Sequence, residues 1–542
     1  MKAVQTLLRR RGLMCLLIGA AALASWWPRW GGPIDLRWDG GAYYILGTSL
    51  ASGEGYRILS EPGGLSSSLH PPLVPALVAA HELLLGTTDP VVVGGALRVT
   101  LALCSAAYAI VVFLLLSASL PRALAAAVTL VGVLQPQYVY FTDALYAEAL
   151  FGLFTIAFFV VRRYRRDTLG FVLCGVCAIL AYEARTAGIA LLVAWVVDHA
   201  LRKETRRALT ALVVSALLVA SWTSWIKAVE SSPEYQHPAY AYQTEPWVYF
   251  NVSYARNLLT FFDPWWPELG PLTPSGFVRR VAPNLRVLPR SIGQAVSTWE
   301  TPREVAIPLG ILVLGGLLLQ AVRREFAVVL YVALSLAAMC ATPFQKQFVR
   351  YLLPLYPLLA LALFELLAWG TAQVRSRWPA LPAALGTAIP WLVIVVIALR
   401  TTSEVRAMYA NLHHDVAYEQ HGQPVRYRLF YYGPEGADLD AALDWLDRRA
   451  APDDTFAGGD PQWVYLRTGR RCVVPPFVLD GRKGQQLIDS VPVKYLLASV
   501  KPGAYERFTA PLLAANPDAW RRVWRSPNGT LDVYERVGPL RP

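Results

Sequence analysis

The stretch "DLRWDGGAYYILGTSLASGEGY", Asp35 to Tyr56, comes directly after the first apolar run of the chain. It carries two aspartates, paired tyrosines and a string of glycines where a membrane helix would end. Asp39 and Tyr43 stand four apart, so a helix starting here puts both on one face. A modest reading makes the aspartates caps of an interfacial helix and the tyrosines part of an aromatic belt. The next residues argue for more. "ASGEGY" is a turn, and "SSSLHPPLVPAL" (66–77) brings His70 against two prolines at the start of another apolar helix. A loop of this size carrying acids, a histidine and serines is more than a connector.

Outward from this stretch, the composition sets the class. Of the 542 residues 55% are apolar and only 16% charged, an unusual balance for a soluble enzyme. Several apolar runs reach the roughly 17–25 residues that cross a bilayer, which makes this a polytopic α-helical membrane protein. The net charge of +12 sits mainly in short gaps between those runs. That is the distribution of cytoplasmic loops. No basic helix with interleaved aromatics tracks a phosphate backbone, so nucleic acid is not an expected partner. Five of the six cysteines lie in apolar runs and only Cys472 in a soluble stretch, which excludes a disulfide framework. Cys174 and Cys177 have CxxC spacing but lack the polar neighbours of a metal or redox site.

The arginine clusters fix a topology. Arg9, Arg10 and Arg11 place the N-terminus in the cytoplasm, and "MKAVQTLLRRRGLMCLLIGAAALASWW" reads as an uncleaved first span near 12–28 despite its resemblance to a signal peptide. A second span near 91–117 returns to Arg122, and a third near 123–137 leads to an exported "QPQYVYFTD". Later spans return to "RRYRR" (162–166), "LRKETRR" (201–207), Arg323 with Arg324, and "QVRSRW" (373–378). A last span near 383–399 exports the remainder. The sum is about eleven spans with every strong arginine cluster on one side. Residues 1–400 then form the transmembrane domain, with large external loops at 29–90 and 227–303. Residues 401–542 read as a small exported α/β domain. There "DLDAALDWLDRRAAPDDTFAGGD" is a helix, a turn and a strand, "VKYLLASV" a strand, and "WRRVWRSPNGTLDVYERV" a hairpin turning at Asn-Gly.

Three further exported ends add polar groups. "VYFTDALYAEALF" places Asp143 and Glu148 near or inside the fourth span, where isolated carboxylates are costly and point to function. "AYEARTAG" supplies Glu183 and Arg185, which could equally form a local ion pair. "PFQKQFVRYLLPLYP" supplies Lys346, Arg350 and Tyr351, although snorkelling to the interface would explain the two cations as well. Acids and bases from separate spans thus converge on one membrane face, which requires a polar task there. The aromatic loop around "PWVYF" and "FFDPWWPELG" either covers a ligand or forms an interfacial belt.

The order of these motifs resembles a known family. An acid and a Tyr after the first span, "SGEGY", "HPPLVP", an acid in the fourth span, "ART-G" and "RYLLPLYPLLAL" look like the GT-C glycosyltransferases, in the branch of protein O-mannosyltransferases and lipid A aminoarabinose transferases. The resemblance covers residues 1–370 by span order and loop placement. It implies an integral membrane enzyme of the bacterial inner membrane, serving the cell envelope. Such an enzyme takes a sugar from a polyprenyl-phosphate-linked donor and gives it to an extracytoplasmic lipid, glycan or protein acceptor. The family's first-loop motif is an Asp, often followed by Glu, with a Tyr four residues after the Asp. Asp39 and Tyr43 match it, Tyr44 comes next, and Gly40 stands where the second acid would be, with Asp35 nearby at a different spacing. The aminoarabinose branch carries a Lys before its Pro-Pro, where this chain has His70.

On this reading Asp39, with Asp35 and Glu148 as further candidates, takes the proton of an acceptor hydroxyl attacking the anomeric carbon with inversion. Tyr43, Tyr44, His70, Asp143, Arg185, Lys346, Arg350 and Tyr351 are the expected substrate-binding residues, the cations facing the lipid phosphate. A divalent ion would assist leaving-group departure, but no dense acidic ligand cluster is apparent. Another lipid-phosphate-dependent transferase or ligase, or a transporter or flippase, is the alternative. A transporter typically shows repeated halves and polar groups at midplane, and neither is evident. Sidedness is directly testable: engineered cysteines near Gly63 and near Asp453 should both label with an impermeant thiol reagent from outside intact cells. A cytoplasmic Asp453 would mean an odd number of miscounted spans.

Overall fold

The computed structural model describes residues 2–247, 251–379, 382, 384–420, 423–430, 432–503 and 505–537. Residues 248–250 of "PWVYF" lie outside the described residues. The chain is an integral membrane protein, mostly helical, with a small sheet near its C-terminus. A helix stands at each expected span. Among the described residues six are long and apolar enough to cross a bilayer: Arg11–Arg29, Pro90–Leu116, Thr205–Glu230, Arg303–Val322, Gln345–Arg377 and Thr387–Ala410. A seventh crossing is a bent pair, Arg122–Leu134 and Pro136–Asp143, inclined at 53°. The helices Glu148–Tyr164 and Thr168–Ala184 have 17 residues each, Phe326–Cys340 has 15 and Ile189–Leu201 has 13. At 1.5 Å per residue these four reach about 20–25 Å, less than the hydrocarbon thickness.

Two segments carry more helix than the sequence reading gave them. "QPQYVYFTD", expected as the exported end of the third span, forms the second leg of the bent pair. Gln135 takes an extended backbone and Pro136 opens the new helix, because proline cannot supply the N–H that continuing the first would need. The region 227–303 is likewise more than a loop, since it contains the 23-residue helix Pro274–Val296.

The fold divides into two compact units, and the division does not fall at residue 400 along the chain. One unit comprises Met1–Trp30, Arg98–Ala220 and Arg279–Asn411; the other comprises Gly31–Leu97, Ser221–Val278 and Leu412–Pro542. The last apolar helix accordingly runs on to Ala410.

The first unit is a helical bundle held by close backbone approach. A Cβ on Gly316 would fall 2.1 Å from the Ala362 carbonyl oxygen, so only glycine lets helix Arg303–Val322 lie against helix Tyr356–Arg377. Small residues serve this purpose where no hydrophobic force drives helices together. At one end Arg162 bonds Asp198 at 2.7 Å and Glu325 at 3.2 Å. These residues stand at the ends of three helices, beside the arginine clusters that the sequence reading puts on a single face.

The second unit gathers the stretch after the first apolar run, the 221–278 segment and the C-terminal residues. Its strands are β1 (His413–Gln420), β2 (Gln423–Leu429), β3 (Thr455–Ala457), β4 (Cys472–Val473), β5 (Val493–Ser499), β6 (Trp520–Arg525) and β7 (Leu531–Arg536). β1 and β2 form an antiparallel pair, and the others form one sheet in the order β4-β3-β5-β7-β6. β3 is parallel to β4 and β5, while β7 is antiparallel to β5 and β6. Phe456, Leu496 and Val533 are wholly buried in its core. The expected helix is Pro434–Asp447, and the β6–β7 hairpin turns through Asn528 and Gly529, the glycine at φ +70°. Trp247 and Trp265 stack on Phe477, so these aromatics of the 221–278 segment pack against the C-terminal part of the same unit.

One buried carboxylate pins that hairpin. Asp438 accepts hydrogen bonds from the Ser526 and Thr530 hydroxyls (2.6 Å each) and from the Thr530 and Asn528 backbone N–H groups (3.0 and 3.1 Å). Burial raises its pKa, but the bonds from Ser526, Thr530 and Asn528 outweigh burial and hold it at about 2, below the ordinary 3.8. A depressed pKa gives stability that is present above the unfolded value and fades as pH falls toward about 2. Asp438→Ala should therefore destabilise the hairpin by on the order of 3 kcal/mol at neutral pH, since it orphans several donors. Hydrogen exchange at the amides of 520–536 in the full chain measures this, and the difference from the parent should shrink as pH is lowered through 3.8 toward 2.

Candidate functional site

The 35–56 stretch builds the site of the second unit. It forms a helix, Asp39–Ala51, with Asp39 as its first residue and Tyr43 one turn on. A carboxylate is favoured there because the free N–H groups of a helix start carry partial positive charge. Two of the helix's glycines, Gly41 and Gly47, reflect crowding. A Cβ on Gly41 would sit 2.8 Å from Gln462 Cβ, and one on Gly47 2.7 Å from the Pro75 carbonyl oxygen. Glycine thus lets the helix meet both the C-terminal segment and helix Leu73–Leu85. Trp38, just before Asp39, has φ 56° and ψ −126°, a conformation side-chain-bearing residues rarely take. Its N–H donates to Asp460 at 3.4 Å.

Asp39 and His70 line one cavity of about 80 Å³, together with Glu61, Asn251, Asp460 and Gln462. The Tyr43 ring meets the His70 ring edge-on at 4.9 Å between centroids. Tyr44 is buried, its hydroxyl donating to the Thr88 carbonyl at 2.9 Å, a role in the fabric of the unit. Asp35 is likewise engaged: Arg37 grips it through two guanidinium bonds of 3.0 and 2.7 Å. Burial raises Glu61 to about 7 against bonds from Tyr240 and Gln243, and raises Asp460 to about 6 against the Trp38 and Trp463 N–H groups.

The first unit holds the other candidates. Glu148 opens helix Glu148–Tyr164 with its side chain fully buried, and it accepts from both Arg185 and Arg350. Arg350 lies over the Tyr146 ring at 4.4 Å and Arg185 over the Tyr351 ring at 5.4 Å. Tyr351 donates its hydroxyl to Gln347 at 2.8 Å. One carboxylate between two guanidiniums leaves a net positive patch, and the cations can orient further donors toward an anion. Arg185 thus reaches across to Glu148, the alternative of a purely local pair with Glu183 notwithstanding. Asp143 belongs to a separate buried network, bonded to Arg98 at 3.0 Å, while Arg29 bonds Thr142 and the Val139 carbonyl at 2.9 Å each. Lys346 is exposed on the turn Gln345–Gln347.

The structure therefore sorts the expected residues into two groups, Asp39, Tyr43 and His70 in one unit and Glu148, Arg185, Arg350 and Tyr351 in the other. Sequence reasoning did not single out Arg98, Glu61 or Asp460, and it noted Asn251 only as part of a glycosylation tripeptide. Arg98 had a signal, a lone cation inside the apolar run Pro90–Leu116. Among the described residues no three His, Cys, Asp or Glu side chains are grouped to hold a metal ion.

No family model matches this chain, and no curated protein matches it. Solved structures do. The oligosaccharyltransferase AglB from Archaeoglobus fulgidus, in complex with an inhibitory peptide and a dolichol-phosphate, aligns over 98% of this chain and 75% of its own at TM-score 0.55 and 12% identity. ArnT from Cupriavidus metallidurans bound to undecaprenyl phosphate aligns over 97% and 98% at TM-score 0.49 and 13% identity. The likeness to AglB establishes the fold, which is the GT-C fold.

The Glu148 cluster yields a prediction on stability. Glu148→Ala leaves two inward-directed guanidiniums without their shared carboxylate, which should cost on the order of 3–5 kcal/mol. The readout is thermal unfolding of the purified protein in nanodiscs. Removing Arg185 and Arg350 as well should restore part of the loss, and a Glu148→Ala protein as stable as the parent would show that the cluster does not hold the bundle.

Proposed function

We propose that this protein is an integral-membrane glycosyltransferase that moves a sugar from a polyprenyl-phosphate-linked donor to an extracytoplasmic acceptor, with inversion, at the bacterial plasma membrane. The observation that carries this reading is the buried carboxylate Glu148 drawing Arg185 and Arg350 from two other helix ends into one electropositive cluster on a GT-C fold. AglB, which shares that fold, binds a dolichol-phosphate, a lipid phosphate of the class proposed here.

In this mechanism Asp39 accepts the proton of an acceptor hydroxyl as its oxygen bonds to the anomeric carbon. The bond from that carbon to the phosphate oxygen breaks through an oxocarbenium-like state, and the lipid phosphate leaves as an anion. Arg185 and Arg350 stabilise that charge with fixed donors, which need no reorganisation during the reaction. Glu148 is then a positioning residue rather than a base, because its fully buried side chain is spent on aligning the two guanidiniums. Asp35, bound by Arg37, holds the start of the Asp39 helix.

Two variants test the assignment in nanodiscs supplied with radiolabelled polyprenyl-phosphate sugars and a cell-envelope extract as acceptor. Asp39→Asn should lose about 10²–10⁴ in transfer rate while still binding undecaprenyl phosphate. Arg350→Lys should weaken undecaprenyl phosphate binding despite keeping its charge, because an ammonium cannot make the two-pronged contact. Normal turnover by Asp39→Asn would remove it as base, and unchanged lipid binding by Arg350→Lys would remove the cluster as the phosphate site.

A further inference from the structure

The cavity beside Asp39 contains more acid than one general base requires. Three carboxylates line it, Asp39 and Glu61 from the segment after the first apolar run and Asp460 from the C-terminal residues. Among the described residues no Lys or Arg lines it. Glu61 is already bound by the Tyr240 hydroxyl at 3.1 Å. Asn251 supplies an independent sign of a missing ligand. It is 2% exposed, its amide nitrogen donates to the Ser66 carbonyl at 3.0 Å, and its buried Oδ1 has no partner among the described residues. A buried acceptor left unpaired is costly, about 1–3 kcal/mol, and asks for a donor. Carboxylates together with an unpaired amide oxygen favour a ligand that presents hydroxyl or ammonium hydrogens.

Asp460 has a second task in this geometry. One of its oxygens accepts the Trp38 N–H at 3.4 Å and the other the Trp463 N–H at 3.3 Å, the latter capping helix Pro461–Thr468. Trp38 is the residue in the strained conformation directly ahead of Asp39. A strained backbone persists only where its surroundings enforce it, and such sites commonly set the geometry of reacting groups. The Glu61 side of the cavity is tied to the C-terminal residues by the Cys472 N–H, which donates to the Ser60 carbonyl at 2.8 Å.

We propose that this cavity receives the hydrogen-bond-donor end, hydroxyl or ammonium, of the acceptor, and that Asp460 is the positioning carboxylate of the site, holding Trp38 and through it Asp39. The site then takes its second acid from the C-terminal segment, while the position next to Asp39 in sequence is Gly40. The proposal rests on the transferase reading for the word acceptor, but the pocket's preference for a neutral or cationic donor of hydrogen bonds stands on the lining alone.

The test uses the full chain in phosphatidylcholine nanodiscs with Asp460→Asn and Asp460→Ser, both residue types that still cap a helix, so that loss of folding is not the expected result. In the transfer assay both variants should bind undecaprenyl phosphate like the parent. Their half-saturating concentration of envelope acceptor should rise on the order of tenfold, the worth of a hydrogen bond to a charged group. A pH profile separates positioning from simple support. Asp460 is a carboxylate above about 6, so the parent's acceptor KM should rise as pH falls through that value. The groups facing Asp460 are Arg37, Asp35 and Cys472, and in the cavity Asp39, Glu61 and His70. The acid limb should vanish in Asp460→Asn and persist in Glu61→Gln and His70→Gln. A second readout needs no activity: carbodiimide labelling of Asp39 and Asp460, read by peptide mass spectrometry, with methyl glucoside as a neutral polyol probe and glucose 6-phosphate as its anionic counterpart. Protection by the first and not the second is the expected result. Protection without any sugar transfer by the parent would sustain the pocket and sink the transferase reading. Transfer by the parent with no protection, no KM change and an unaltered acid limb in the Asp460 variants would overturn the proposal and leave the transferase reading intact.

Discussion

A charge buried among membrane helices must be paired, and the first unit is arranged around that requirement. Glu148 sits at the start of its helix with a fully buried side chain, and two arginines from other helix ends close on it. Arg98 and Asp143 make a second buried pair, Asp143 only a few residues before Glu148 in sequence. In a hydrocarbon surrounding no water relieves such groups, so each ion dictates where its partner's helix must end. The short helices of this unit make sense in that light. A helix of 13–17 residues does not reach across the bilayer, and its end lies where a polar partner can meet it.

Pairing also shapes what the cluster can do. An ion pair replaced by apolar residues often costs nothing in stability, which makes a retained buried cluster poor evidence for stability and better evidence for specificity or function. Two guanidiniums against one carboxylate are not neutral. The excess charge is held rigid by aromatic rings under both arginines, Tyr146 below Arg350 and Tyr351 below Arg185. Under the proposed function, a lipid phosphate at this patch would meet donors already oriented, as a leaving-group site requires.

The second unit solves a different problem. Its cavity is assembled from three remote segments, and it depends on close backbone contacts that only glycine permits, at Gly41 and Gly47. Within the 35–56 stretch Gly41 and Gly47 thus reflect crowding around the Asp39 helix, while Gly53 and Gly55 serve the turn that follows through their positive φ. The C-terminal residues are not an appendage to this arrangement. They supply Asp460 and Gln462 to the same cavity as Asp39, and Phe477 to the tryptophans of the 221–278 segment.

Sequence alone determined what short-range physics controls. Apolar runs located the helices, because hydropathy and helical periodicity are local. The Asn-Gly turn located the β6–β7 hairpin, because few residues tolerate φ of +70°. The four-residue spacing placed Asp39 and Tyr43 together on a helix start. Around Gln135–Pro136 the proline marks a helix break locally, but the 53° angle of the second helical leg is visible only in the structure. Tertiary structure alone decided the partnerships. Glu148 meets Arg185 and Arg350 at separations of 37 and 202 residues, and Trp38 meets Asp460 at 422. No periodicity reports such a separation, because which buried charge finds which partner depends on where whole helices and loops come to rest against one another.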